Sequence, residues 1–179
     1  MEPHLFPDIP PRRKPAARLL NQAVLFILGR SLQSLARREP LIQAEVHGWP
    51  DDFVLLLTVE PDQGAMALQA RPEGRLRYLG SRWPEAEADV IIRIKHWRWA
   101  LRMFTGQLGV DRAYAAHAVS AQGDLSQTVS VGRVLNVAQA VLFPAFLSRR
   151  LMKRLPPLPP GRLWRERLST YLLGIPFGW

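Results

Sequence analysis

VSAQGDLSQTVSVGRVLNVAQAVLFPAF, residues 119–146, opens as a short strand, turns at Gly123-Asp124 and then runs on with one further charge, Arg133. From Leu125 the pattern predicts a helix with Asp124 as its N-cap, where a carboxylate accepts orphan N–H groups and favours the positive end of the helix dipole. Val131, Leu135, Ala138 and Leu142 form one row of that helix, and Val134, Val137 and Val141 form the row beside it. Ser126, Ser130, Arg133 and Asn136 leave only a narrow, barely charged strip. So wide an apolar face exceeds what a surface helix over a small sheet needs. Pro144 is expected to kink or end the helix by removing a backbone bond.

Upstream of this stretch the period is two. DFVLLLTVE is apolar on both faces, as a central strand would be. AMALQAR sets Met66, Leu68 and Ala70 on one side, and RLRYLG sets Leu76 and Tyr78 opposite Arg75 and Arg77. The turns PDQG and PEG between them fit hairpin connections, so the three make a meander. In DVIIRIK, Val90, Ile92 and Ile94 alternate with Asp89, Arg93 and Lys95, with Ile91 among them. AVSAQG (118–123) reads as a further strand and QAEVHG (43–48) as an edge strand. HWRWALRMFTGQ reads as a helix aligning Trp97, Leu101 and Phe104, and VDRAYAAHA as a second, shorter one. A helix from Ala16 carries Leu20, Val24, Ile27, Leu28 and Leu35 on one face and stops at Arg37-Arg38-Glu39-Pro40. The sum is an α+β fold, an antiparallel sheet covered on one face by helices.

With 179 residues, 47% hydrophobic and 22% charged, the chain can bury a core as one domain with extensions. It has no cysteine, which excludes disulfides, thiolate nucleophiles and Cys-ligated metals. The run Ala23-Val24-Leu25-Phe26-Ile27-Leu28 is too short to span a bilayer, and Glu2, Asp8 and the early prolines do not suit a signal peptide, so the expected location is cytoplasmic. The net charge of +9 is uneven: residues 1–40 carry seven Arg/Lys against three acids, residues 41–139 ten against eleven, and residues 140–179 seven against one. A near-neutral body with basic ends points to an anionic partner, or to solubility alone.

No catalytic constellation emerges. His4, His47, His96 and His117 lack metal-ligand spacing, and the nucleophile-elbow, phosphate-loop and dinucleotide signatures are absent. Asp51-Asp52 before a strand reads as turn chemistry rather than a paired-carboxylate or metal site. Neither a cofactor nor a metal is expected. Arg93, Lys95, Arg98 and Arg102 interleave with Trp97 and Trp99, a pattern also used on single-stranded nucleic acid, but alternation that buries the isoleucines explains it without such a partner. LPPLPPGR fits a semi-rigid linker, or a polyproline ligand. In GRLWRERLSTYLLGIPFGW, Trp164, Leu168, Tyr171 and Leu172 form a stripe flanked by Arg162, Arg165 and Arg167. That is the composition of a helix lying in a membrane interface; packing onto its own domain or a partner explains the same stripe.

The order of these elements, with ADVIIRIKHWRWALRMFTGQ followed by a strand closing in GDLSQTVSVGRVL, resembles the sterol carrier protein type 2-like lipid-binding domains. Asp89, Val90, Ile92, Leu101, Phe104, Gly106, Gly123, Asp124 and Leu125 carry the match, over roughly residues 40–143. The resemblance implies a hydrophobic tunnel between sheet and helices that holds a fatty acyl, sterol or isoprenoid ligand without chemistry. The N-terminal apolar helix and C-terminal extension are similar to the UbiT-type accessory factors of ubiquinone biosynthesis, which bind prenyl lipids. RAYAAHAVSAQ departs from that subgroup's Phe/Arg-rich approach, and no T-E-L-G follows Asp124.

These readings divide the chain into a Pro-rich arm and amphipathic helix (1–39), a sterol-carrier-like domain (40–155) and a Pro-rich linker with amphipathic tail (156–179). The expected tunnel wall is Leu57, Ile92, Ile94, Trp97, Phe104, Val131, Leu135, Ala138 and Leu142. The expected membrane contacts are Arg162, Trp164, Arg165, Leu168, Tyr171 and Leu172. The expected role is non-catalytic lipid carriage, with a lipid ligand and an anionic membrane surface as partners and not nucleic acid. The alternative is a scaffold in a lipid or ubiquinone biosynthesis complex that docks a protein partner.

Overall fold

The structure is a computed structural model that describes residues 15–142. Helix α1 (Pro15–Arg38) ends on two arginines, which suit the negative end of its dipole. Glu39 then takes an extended conformation and its carboxylate accepts from the N–H of Leu41, so that α2 (Pro40–His47) starts at once with Pro40 in its first turn. Residues 43–48 are therefore helix for the most part and not the expected edge strand. Ile42 and Val46, one turn apart, are buried, so the helix that the Glu39 cap starts carries both into the core.

The meander follows as expected: β1 (Val54–Val59), β2 (Ala65–Arg71) and β3 (Arg75–Gly80). Then come β4 (Val90–Ile94), α3 (Trp97–Phe104), α4 (Val110–Ala115), β5 (Val119–Gln122) and α5 (Leu125–Leu142). The sheet order is β3-β2-β1-β4-β5. It is mostly antiparallel, with one parallel pair at its centre, where Leu55, Leu57 and Val59 of β1 stand beside Val90, Ile92 and Ile94 of β4. The chain reaches that position because the link from β3 to β4 passes across the sheet. Its Trp83 and Ala88 cover Leu56, Ala67 and Ile91 on the face away from the helices.

Helices α1 to α5 lie on the other face, over Leu55, Leu57, Met66, Leu68, Ile92 and Ile94. Helix α1 is tied to the sheet by Gln22, which donates to the carbonyl of Ala65 (3.0 Å) and accepts from its N–H (3.1 Å), and by Gln33, which accepts from the N–H of Tyr78 at 2.9 Å. Its buried face is Asn21, Leu25, Leu32, Leu35 and Ala36. Of the row expected there, Leu20 and Ile27 are exposed and only Leu35 is fully buried. In α3 the buried residues are Ala100 and Met103, while Trp97, Leu101 and Phe104 are half-buried beside them.

The turn into α5 is built as the sequence suggests. Asp124 Oδ1 accepts from the N–H of Gln127 at 3.0 Å. Gly123, at φ 130°, packs against the Asp89 carbonyl and Val90 so closely that a Cβ there would collide with backbone. Asp89 in turn accepts from the N–H of Val54 at 2.7 Å, joining the starts of β1 and β4.

Candidate functional site

Helix α5 meets three different surroundings as one turns around it. Val131, Val134, Ala138 and Val141 enter the packed core. Gly132, Leu135, Gln139 and Leu142 face a cavity instead. Ser130 and Arg133 meet α2: Trp49 Nε1 donates to Ser130 Oγ (2.8 Å), Ser130 donates to Glu45 (2.7 Å), and Arg133 Nε lies 2.7 Å from the other Glu45 oxygen. The narrow, barely charged strip is thus partly a helix–helix contact. Burial pushes the Glu45 carboxyl up, but hydrogen bonds from Arg133 and Ser130, with the Arg133 charge, outweigh it and hold the group below the usual carboxylate range.

The cavity has a volume of about 250 Å³. Leu57, Ile92, Ile94 and Val119 of the sheet form its floor. Val24, Ile27, Leu28 and Ser31 of α1 form one wall, Met103, Phe104, Val110 and Tyr114 on and around α3 and α4 another, and the α5 row the last. No Asp, Glu, Lys, Arg or His lines it among the described residues. Its polar groups are the Ser31 hydroxyl, the Gln139 carboxamide and Tyr114, whose phenol burial pushes up.

Leu57, Ile92, Ile94, Phe104, Leu135 and Leu142, named from sequence as wall residues, are brought together around this cavity. Trp97, Val131 and Ala138 are not among its lining residues. Val131 and Ala138 are fully buried in the core, because a step of one residue rotates a helical side chain by about 100° and the cavity faces the neighbouring row. Trp97 is half-buried at the start of α3, with the Arg98 guanidinium 5.6 Å from its ring. The α1 wall is absent from the sequence reading of the site, although Val24, Ile27 and Leu28 are legible there as one helical face. Gly132 and Gln139, a glycine and an amide seven positions apart on an oily helix, are the other missed signal.

Elsewhere the polar groups have local roles. Arg93 pairs with Glu85 at 2.6 Å and donates to Gln122 at 2.9 Å, while Arg102 lies 5.4 Å from the Trp99 ring. Asp52 accepts from Gln69 and pairs with Arg71 at 3.3 Å, a brace ahead of β1. Among the described residues no group of three His, Asp or Glu could hold a metal, and no helix is long and apolar enough to cross a membrane. Arg162, Trp164, Arg165, Leu168, Tyr171 and Leu172, like Pro144, lie outside the described residues.

No family model matches the sequence, and no curated protein matches it. The chain is similar to solved structures of sterol carrier protein domains. A "UbiJ-SCP2 Ubiquinone synthesis protein" is 15% identical with a TM-score of 0.45, covering 69% of this chain and 99% of that one. A conserved hypothetical protein of Thermus thermophilus, described as possibly a sterol carrier protein, is 19% identical with a TM-score of 0.46, covering 63% and 84%. Apo sterol carrier protein 2 from Yarrowia lipolytica is 12% identical with a TM-score of 0.44, covering 64% and 88%.

Proposed function

We propose that this protein binds and carries a hydrophobic lipid, of fatty acyl, sterol-like or isoprenoid type, in the cavity between sheet and helices, without catalysing a reaction on it. The observation that carries this reading is the cavity itself: about 250 Å³, walled by apolar side chains from α1, α3 and α5 over a sheet floor. If it were a sealed packing defect, a void of that size at roughly 24 cal/mol per Å³ would cost about 6 kcal/mol. That rivals the whole stability of a small domain, about 5–15 kcal/mol. Filling it with an alkyl chain recovers roughly 0.8 kcal/mol per methylene, against the ordering cost of binding. The basic ends of the chain extend the reading: they bring the cavity to an anionic membrane surface where such a lipid resides.

Native mass spectrometry of protein purified from its own host, followed by lipid extraction, tests the proposal. The expected result is a co-purifying lipid and saturable uptake of the neutral dye Nile red by the delipidated protein. Folded protein that carries no lipid mass and takes up no dye overturns it, and favours the scaffold alternative.

A further inference from the structure

Two walls of the cavity each carry a polar atom that no group among the described residues satisfies. Ser31 of α1 is fully buried and its hydroxyl has no hydrogen-bond partner. Gln139 of α5 has its side-chain oxygen shut off from solvent and without a donor. Buried polar atoms are nearly always paired, because an unmade bond costs more than a made one returns. Asn21, Ser34 and Thr58 also hold unpartnered buried atoms, but none of them lines the cavity. Ser31 and Gln139 do, on helices that supply two different walls, and the half-buried Tyr114 adds a phenol to the same lining. A hydroxyl can give or accept a bond; an amide oxygen only accepts. Their unmet demand therefore includes a donor.

Charge narrows the partner further. With no cationic side chain in the lining among the described residues, an ionised carboxylate drawn inside would lose its hydration and meet no counter-charge there. We infer that the cavity, on the lipid-carrying reading, selects a neutral amphiphile whose head group presents a hydroxyl donor to Gln139 and Ser31, and discriminates against the ionised carboxylate of the same chain length. An alcohol or phenol at the head of an apolar chain has this chemistry.

Displacement of Nile red at about pH 8, where a fatty acid is ionised, by decan-1-ol, decanoate and decyl methyl ether tests it. The ether is neutral and at least as apolar as the alcohol but cannot donate. Decan-1-ol should displace the dye at roughly tenfold lower concentration than decanoate, and about three- to tenfold lower than the ether, the value of one net hydrogen bond. Gln139→Leu and Ser31→Ala should each reduce the alcohol-to-ether ratio, and the double variant should bring it to about one, with circular dichroism unchanged. Decanoate binding as tightly as the alcohol in the wild-type protein overturns the inference, as does a ratio that neither variant moves, while either result leaves lipid carriage standing. If neither the dye nor any of the three ligands binds, the carrying reading falls and this inference with it.

Discussion

Gly132 and Ala138 share helix α5 and meet opposite surroundings. A Cβ built on Gly132 finds nothing within 4 Å, and the residue lines the cavity. Ala138 is fully buried among core side chains. Gly132→Ala should therefore stabilise the fold by about 0.5–1 kcal/mol, the usual gain of replacing a mid-helix glycine where space allows. Ala138→Phe should overpack the core and cost about 1–3 kcal/mol. Gly132→Phe, with the cavity to receive its ring, should cost less than Ala138→Phe and should block Nile red uptake. Urea unfolding of the three variants checks the order; an Ala138→Phe midpoint equal to wild type would show that the cavity, not the core, faces that row.

At the scale of elements, the contact between α2 and α5 hangs on a short polar chain. Trp49 is nearly buried and donates its ring N–H to Ser130, which donates to Glu45. Ser130→Ala leaves that ring N–H without an acceptor and should cost about 1–3 kcal/mol in equilibrium unfolding. Glu45 gives the same contact a pH dependence. Its folded pKa is depressed, so its stabilising contribution is complete above the unfolded glutamate value, ~4.3, and is lost as pH falls through the lower folded value. Unfolding free energies measured at about pH 6 and about pH 3 should fall more steeply for wild type than for Glu45→Gln, which cannot take up that proton. Equal slopes would show that Glu45 contributes nothing to the acid limb.

For the whole molecule, the decisive property is the separation of a near-neutral body from basic ends. Residues 140–179 hold seven Arg/Lys against one acid, together with Trp164, Tyr171, Phe177 and Trp179. The described core, sheet and cavity are built from residues 15–142. Removing residues 156–179 should leave the circular dichroism spectrum of the fold in place and weaken sedimentation with anionic liposomes, and the binding that remains should decline as salt rises. Full-length protein that ignores such liposomes at low salt would assign the aromatic stripe to packing on its own domain or on a partner.

Periodicity by itself determined the α+β class, because alternation and helical spacing are local. Val90, Ile92 and Ile94 enter the core while Ile91 turns to the opposite face, and Asp124 caps α5, as their order along the chain implies. The central position of β1 follows from its two apolar faces. Tertiary structure alone decided that β4 lies parallel to β1, since the crossing by residues 81–89 depends on contacts between distant segments. It also turned residues 43–47 into helix, through the Glu39 cap and the packing of Ile42 and Val46. The wide apolar face of α5 was legible, but its division into a core row and a cavity row was not: a step of one residue turns a side chain by about 100°, and the packed neighbours α1, α2 and α4 set that rotation. Ser31 and Gln139 acquired meaning for the same reason. A serine or glutamine in an oily helix is ambiguous in one dimension, and only the folded chain sets both beside the same cavity with buried polar atoms that have no partner among the described residues.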